Sequence, residues 1–243
     1  MSEPTARDRL MVALDLPQVA DARALVARIG DAATFYKIGL ELVMSGGLQL
    51  TRDLVRDGCQ VFLDMKLLDI ANTVERAARA AAETGATFLT VHGHDSKTLR
   101  AAVAGKAGTG LKVLAVTVLT NLDAKDLAEQ GIAASPEELV VRRARLAQDA
   151  GCDGIVASGL EADHIRAAVG PDMVIVTPGI RLPDDDAGDQ ARVATPQTAI
   201  AAGADYLVVG RPITSDDDPR RAAETFVASI EEALALRALG PQG

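Results

Sequence analysis

Hydrophobic residues in this chain fall in short, nearly unbroken runs separated by longer stretches of mixed character. The runs are "LMVALDL" (10–16), "FYKIGL" (35–40), "QVFLDMK" (60–66), "TFLTVHG" (87–93), "KVLAVTVL" (112–119), "GIVASG" (154–159), "MVIVTPG" (173–179) and "YLVVGR" (206–211). Continuous Val, Ile and Leu over four to eight residues is the pattern of strands buried on both faces. Between them, "VADARALVARIG", "TVERAARAAAETGA" and "EELVVRRARLAQDAG" repeat apolar positions at helical spacing. Several such segments end at a glycine, a C-cap signal, before the next run. "RRAAETFVASIEEALALRAL" reads as a terminal helix. Eight evenly spaced strands, each followed by a helix, predict one α/β domain over residues 1–243, a single-domain (β/α)8 TIM barrel. A doubly wound open sheet fits the even count of eight less well. "PDDDAGD" (183–189) reads as a polar loop within the domain.

The 243 residues and 48% hydrophobic content suit one barrel with a sizeable core. Aromatics are 2% and Trp is absent, so the expected core is aliphatic, and base stacking on aromatic platforms is disfavoured. The net charge of −9 argues against nucleic acid and anionic membrane as partners. A phosphorylated small molecule stays compatible, because a local pocket can be positive on an acidic protein. The stretch "MSEPTARDRL" lacks an apolar signal region and no run reaches spanning length, so a cytoplasmic protein is expected. Cys59 and Cys152 each follow a glycine and precede an apolar run. They read as buried reduced thiols, without zinc-ligand spacing.

Active sites on this fold lie at the C-terminal ends of the strands, and charge gathers there. Alternation puts Phe62, Asp64 and Lys66 on one face of the third strand. Asp15 stands at the end of the first strand run and Lys37 lies within the second. Two acids and two bases can then converge on the barrel axis. Mutual neutralisation is the bland alternative, yet apolar replacements of such pairs are often neutral, so stability alone is a weak reason to keep four. Asp69 could cap the next helix, but Asn72 with Glu75 offers a capping-box-like start, which frees Asp69 to face a site. After strands seven and eight come "TPGIR" (177–181) and "VGRPIT" (209–214). Loops at that place commonly hold phosphate, with Gly210 allowing close backbone approach and Arg181 and Arg211 supplying charge-assisted bonds. Pairing of both arginines with the acids of 184–189 is the competing reading. His92 and His94 form a His-x-His pair without a clear third ligand, so no metal is expected. Thr117 and Thr120 either meet a ligand's amide edge or cap the fifth strand.

These pieces resemble one family. "DMKLLDIANT" (64–73) is similar to the Asp-x-Lys-x-x-Asp-Ile-x-Asn-Thr signature of the orotidine 5′-phosphate decarboxylases of compact bacterial type. "VALDL", "YKIGLEL", "VTVLT", "TPGIR", "GDQ" and "VGRPIT" follow in the family's order. Leu67 and Leu68 replace residues that are often aromatic or His there, and Ala71 stands where Pro is common. The resemblance implies a cofactor-free homodimer that converts orotidine 5′-phosphate to UMP and CO2. It implies Lys66 as proton donor to C6 and Asp64 beside the substrate carboxylate. Lys37 and Asp15 would contact the ribose, and Asp69 and Thr73 would reach the partner's site. Thr120 would meet the pyrimidine, and Arg181, Gln190, Gly210 and Arg211 would bind phosphate under a lid formed by 182–190. Sugar-phosphate decarboxylases and synthases that share Asp-x-Lys-x-x-Asp and use Mg2+ are the nearest alternative. A non-catalytic nucleotide-sensing barrel is the alternative of another class, and it leaves Lys66 and its acids unexplained.

Overall fold

A computed structural model describes residues 3–183 and 194–239. The eight runs form eight parallel strands that close into a barrel in sequence order. They are β1 (Leu10–Ala13), β2 (Phe35–Gly39), β3 (Gln60–Leu67), β4 (Phe88–His92), β5 (Lys112–Val116), β6 (Gly154–Val156), β7 (Val174–Thr177) and β8 (Tyr206–Val209). Closure comes from β1 pairing with β8, Leu10 opposite Leu207 and Val12 opposite Val209. The helical patterns lie outside as Val19–Ile29, Ala71–Ala82 and Pro136–Asp149, and the terminal helix runs Pro219–Ala238.

The helix ends follow from local chemistry. Ser135 accepts from the Glu138 N–H while Glu138 reaches back to Ser135, with Pro136 in the first turn, so orphan donors are met. Gly30 ends the first long helix at φ 62°, its N–H bonded to the Val26 carbonyl, a conformation that favours glycine. The helix after β3 corrects one expectation. It begins at Ala71 with Ile70 as its cap and no side-chain cap bond, so Asn72 lies inside the first turn. Glu75 pairs with Arg79 at 2.8 Å rather than closing a capping box.

The core has two parts, set by strand alternation. Outward residues such as Val12, Ile38, Val61, Leu63, Leu89 and Val91 pack beneath the helices with Leu and many Ala. Inward residues Met11, Phe35, Phe62, Phe88, Leu114, Val176 and Val208 fill the barrel itself. The outer layer is largely aliphatic, with Tyr36 and Phe226 among it, but the inner plug is not. Phe88 has Phe35 at 5.4 Å, Tyr206 at 5.3 Å and Phe62 at 6.1 Å between ring centroids. A narrow cylinder is filled more completely by a few large rings than by many branched chains, so most of a small aromatic allotment is concentrated there. Cys152 is buried and Cys59 partly so, and both are free thiols. Burial pushes the Cys152 thiol up to about 12, which suits an inert packing residue. No described helix is long and apolar enough to cross a membrane.

Candidate active site

The aromatic plug closes the barrel from below, and the C-terminal ends of the strands open above it into a cavity of about 640 Å3. Asp15, Lys37, Asp64 and Lys66 line one side of it. The Lys37 ammonium donates to Asp15 Oδ1 at 2.8 Å and lies 3.7 Å from Asp64 Oδ2. The Lys66 ammonium donates to that same Asp64 oxygen at 2.7 Å. The result is an alternating row, acid, base, acid, base, across β1 to β3. Gly39 makes room for it: a Cβ there would stand 3.0 Å from Asp15 Oδ1 and 3.3 Å from Lys37 Nζ.

Asp64 is the most enclosed acid of the row. Burial alone would raise its pKa, but the Lys37 and Lys66 charges, with hydrogen bonds from Lys66 and Thr90, hold it below the ordinary carboxylate range. The side chain of Lys66 is 30% exposed against 10% for Lys37, so Lys66 is the ammonium more accessible from the cavity.

Alternation holds in facing terms, since Leu63, Met65 and Leu67 pack in the outer core and Phe62 in the inner one, but the strand that carries Lys66 is not regular. Between Leu63, opposite Leu89, and Leu67, opposite Val91, four steps of β3 match two of β4. This is a bulge, a feature that re-aims side chains near active sites. Lys66 sits at φ 47°, the one non-glycine among the described residues with positive φ. Such backbone costs on the order of 1–3 kcal/mol and persists only where its surroundings hold it. Asp64 and Lys66 thus face the cavity together, as the sequence predicts, but through a distorted strand.

The rest of the lining, beyond β5, β7 and β8, carries Thr120, Gly179, Arg181, Gly210, Arg211 and Thr214. Arg181 is buried, donating to the Ile180 carbonyl at 2.9 Å. Gly210 has φ −107°, and a Cβ there would meet only Ala13 at 3.8 Å, so what it offers is open space rather than an unusual conformation. Thr117 turns away and donates to the Val156 carbonyl at 3.3 Å, whereas Thr120 reaches the cavity. Gln190 and residues 184–190 of the expected lid lie outside the described residues. Asp69 and Thr73 do not line this chain's own cavity. Asp69 is exposed and accepts from the Ile70 N–H at 2.6 Å.

His92 and His94 stack at 4.8 Å. Burial, then His94, Lys66 and Arg143, lower His92 to about 4, so it is neutral near pH 7. Among the described residues no group of three His, Cys, Asp or Glu side chains could hold a metal ion. Two contributors escaped the sequence reading. Gly39 gives no signal beyond its type. Thr90 gives a faint one, a polar residue at an inward position of β4 two residues after Phe88.

The family model described as "Orotidine 5′-phosphate decarboxylase / HUMPS family" matches residues 8–226. The chain belongs to this family. It is 57% identical over 235 residues to the orotidine 5′-phosphate decarboxylase of Bradyrhizobium sp. strain BTAi1, covering 97% of this chain and 96% of the relative. It is also 57% identical over 227 residues to that of Methylorubrum extorquens, covering 93% and 97%. Among solved structures, the orotidine 5′-phosphate decarboxylase of Lactobacillus acidophilus superposes with a TM-score of 0.82 at 35% identity, covering 94% of this chain and 99% of that one.

Proposed function

We propose that this chain decarboxylates orotidine 5′-phosphate to UMP and CO2, the last step of de novo pyrimidine nucleotide synthesis. One observation carries the reading beyond family membership: the Asp15–Lys37–Asp64–Lys66 row and the two arginines Arg181 and Arg211 line a single cavity. That arrangement suits a phosphorylated substrate whose reacting end changes charge. The phosphate lies with Arg181, Gly210 and Arg211, joined by Gln190. The ribose hydroxyls meet Asp15 and Lys37, and the pyrimidine meets Thr120. The C6 carboxylate then lies beside Asp64 and Lys66.

The C6–carboxylate bond breaks, CO2 leaves, and the electron pair stays on C6 until it takes a proton from the Lys66 ammonium. Lys66 is left neutral and is recharged from water. An ammonium about 4–5 Å from the carbanion contributes about 3–4 kcal/mol at an effective dielectric of 20, and more where water is excluded. Asp64 repels the bound carboxylate but not neutral CO2, which adds to the gradient. Contacts at the distant phosphate position the ring without touching the reacting bond.

The enzyme works as a cytoplasmic homodimer with shared sites. Leu40, Met44, Leu48, Leu68 and Ile70 are large apolar side chains exposed beyond β2 and β3, next to the charged row. A second copy seated there would cover them and bring Asp69 and Thr73 into its partner's cavity. Lys66→Ala and Asp69→Ala proteins, inactive alone, should regain activity on subunit exchange, to about half the normal sites per heterodimer. Exchange without recovery would place Asp69 in its own chain's site.

The reaction itself is tested by following orotidine 5′-phosphate absorbance with purified, EDTA-treated protein. Turnover undiminished by EDTA is expected. A rate lost to EDTA and restored by Mg2+ would point instead to the sugar-phosphate chemistry.

A further inference from the structure

Thr90 lies beneath the charged row, fully buried and outside the cavity lining. Its hydroxyl donates to Asp64 Oδ1 at 2.8 Å and accepts from the Lys66 backbone N–H at 2.9 Å. A hydroxyl has one proton to give and lone pairs to receive, so one side chain serves both partners at once. Its position on β4 is the residue skipped by the bulge, between Leu89, opposite Leu63, and Val91, opposite Leu67. Where a regular ladder would supply backbone partners for β3, the Thr90 side chain supplies one.

We infer that Thr90 is a positioning residue for the decarboxylation, holding the Lys66 backbone in its left-handed conformation and fixing the rotation of the Asp64 carboxylate. Each half follows from geometry. The Lys66 N–H has this hydroxyl as its acceptor at φ 47°. A lysine there gains nothing intrinsic from the left-handed region, so losing the acceptor removes a reason to stay. Relaxation from φ 47° toward extended backbone would rotate the residue and change where its side chain points. Asp64 meets Thr90 with Oδ1 and the two ammoniums with Oδ2. Anchoring one oxygen keeps the other aimed at Lys66 and Lys37. Both hydrogen bonds of Thr90 go to the charged row, so it acts there and not on the anion grip.

This inference rests on the decarboxylase reading for its kinetic arm, and a structural arm stands without it. Thr90→Val preserves shape and β-branching and removes both hydrogen bonds. Thr90→Ser keeps the hydroxyl. For Thr90→Val we expect kcat to fall about 10- to 100-fold, the range for one lost hydrogen bond to a charged group. KM and UMP affinity should stay within about threefold, and the protein should remain folded. Thr90→Ser should recover to within about threefold of the parent kcat. A crystal structure of Thr90→Val should show Lys66 out of the positive-φ region, whatever reaction the enzyme catalyses. Lys66 still at positive φ in the valine variant, unchanged kcat in an active enzyme, or a serine variant as impaired as the valine one would each overturn the inference. Absence of orotidine 5′-phosphate turnover in the parent protein would instead sink the decarboxylase reading, leaving the backbone result to decide the role of Thr90.

Discussion

Charged groups are partly buried at both ends of this barrel, and the two ends use them differently. At the N-terminal rim, Asp205 precedes β8 and accepts from Arg166 at 2.7 Å and from the Ile175 N–H at 2.9 Å. Arg166 spends its other donors on the carbonyls of Gly170, Met173 and Gly203. Asp153, before β6, likewise takes Lys106 on both oxygens at 2.6 Å and the Val113 N–H at 2.7 Å. These are closed sets that tie strand starts to helix ends. At the C-terminal rim the row of four shares partners: Asp64 Oδ2 serves two ammoniums and Lys37 serves two acids. That row borders a cavity of about 640 Å3, and it rests on a bulge and a strained lysine. Buried charge alone therefore says little about function. Charges shared among several charged partners, strain and an adjoining cavity are what separate the two ends.

The sharpest way to break this comparison is Lys66→Ala. Asp64 would keep Lys37, so the fold should survive. If Lys66 is the proton donor proposed above, its loss, together with the local positive charge, should lower kcat on the order of 10^4-fold. A folded Lys66→Ala protein that still decarboxylates substantially would remove the row's claim to chemistry. Next in size is Arg211→Ala, in the lining beyond β8. A charged contact to phosphate is worth about 1.5–3 kcal/mol, so UMP should bind about 10- to 100-fold more weakly. Uridine, lacking the phosphate, should bind nearly as before, and calorimetry with both ligands separates the cases. Equal losses would mean that Arg211 does not grip the phosphate.

The fold was legible because the barrel writes itself as eight buried runs. Less of the site could be read. Asp15, Lys37, Asp64 and Lys66 stood out since charge at the end of an apolar run is costly without a purpose. What aims them did not. Positive φ at Lys66 has no signature when the residue is not glycine or asparagine, and the bulge is a relation between two strands. Thr90 hid because threonine is common in strands. Phe35, Phe62, Phe88 and Tyr206 are far apart in sequence and meet only when the barrel closes, which is why the aromatic plug went unforeseen. The Asn72 cap failed because Ile70, at φ −58° and ψ 148°, starts the helix first, where a β-branched apolar residue is a poor cap.

A smaller effect is expected from the closed end. Asp205→Ala would strand the Arg166 guanidinium and the Ile175 N–H. The guanidinium is partly solvated and keeps its carbonyl partners, while Ile175 is fully buried and its N–H would be left unmet, so the loss should be about 1–3 kcal/mol of stability. It should appear as a lower denaturant midpoint, with kcat and KM within about twofold of the parent. A collapse of kcat in a folded Asp205→Ala protein would show that the two ends are coupled, and the contrast between them would fail.

The smallest expected effect concerns a group at the open end that meets the row as a neutral neighbour. His92 is held at about 4, first by burial, then by His94, Lys66 and Arg143, with Asp64 pulling the other way. Arg143 gives its guanidinium to the Thr117 carbonyl at 2.6 Å, so a protonated His92 would face one more cation. The unfolded chain, with an ordinary histidine near 6.5, takes up a proton at higher pH than the folded one. Where the unfolded state binds more protons, stability rises with pH. The contribution of His92 is therefore complete above about pH 6.5 and is lost progressively as pH falls toward 4. His92→Asn, which cannot titrate there, should show a shallower fall in melting temperature between pH 7 and 4.5 than the parent. Acids away from His92 titrate alike in the two proteins, so the difference between the curves reports His92 together with the neighbours it is coupled to, His94 and Asp64. Parallel curves would mean that His92 is protonated as readily in the folded chain as in the unfolded one, and that the open end tolerates a further positive charge beside Lys66.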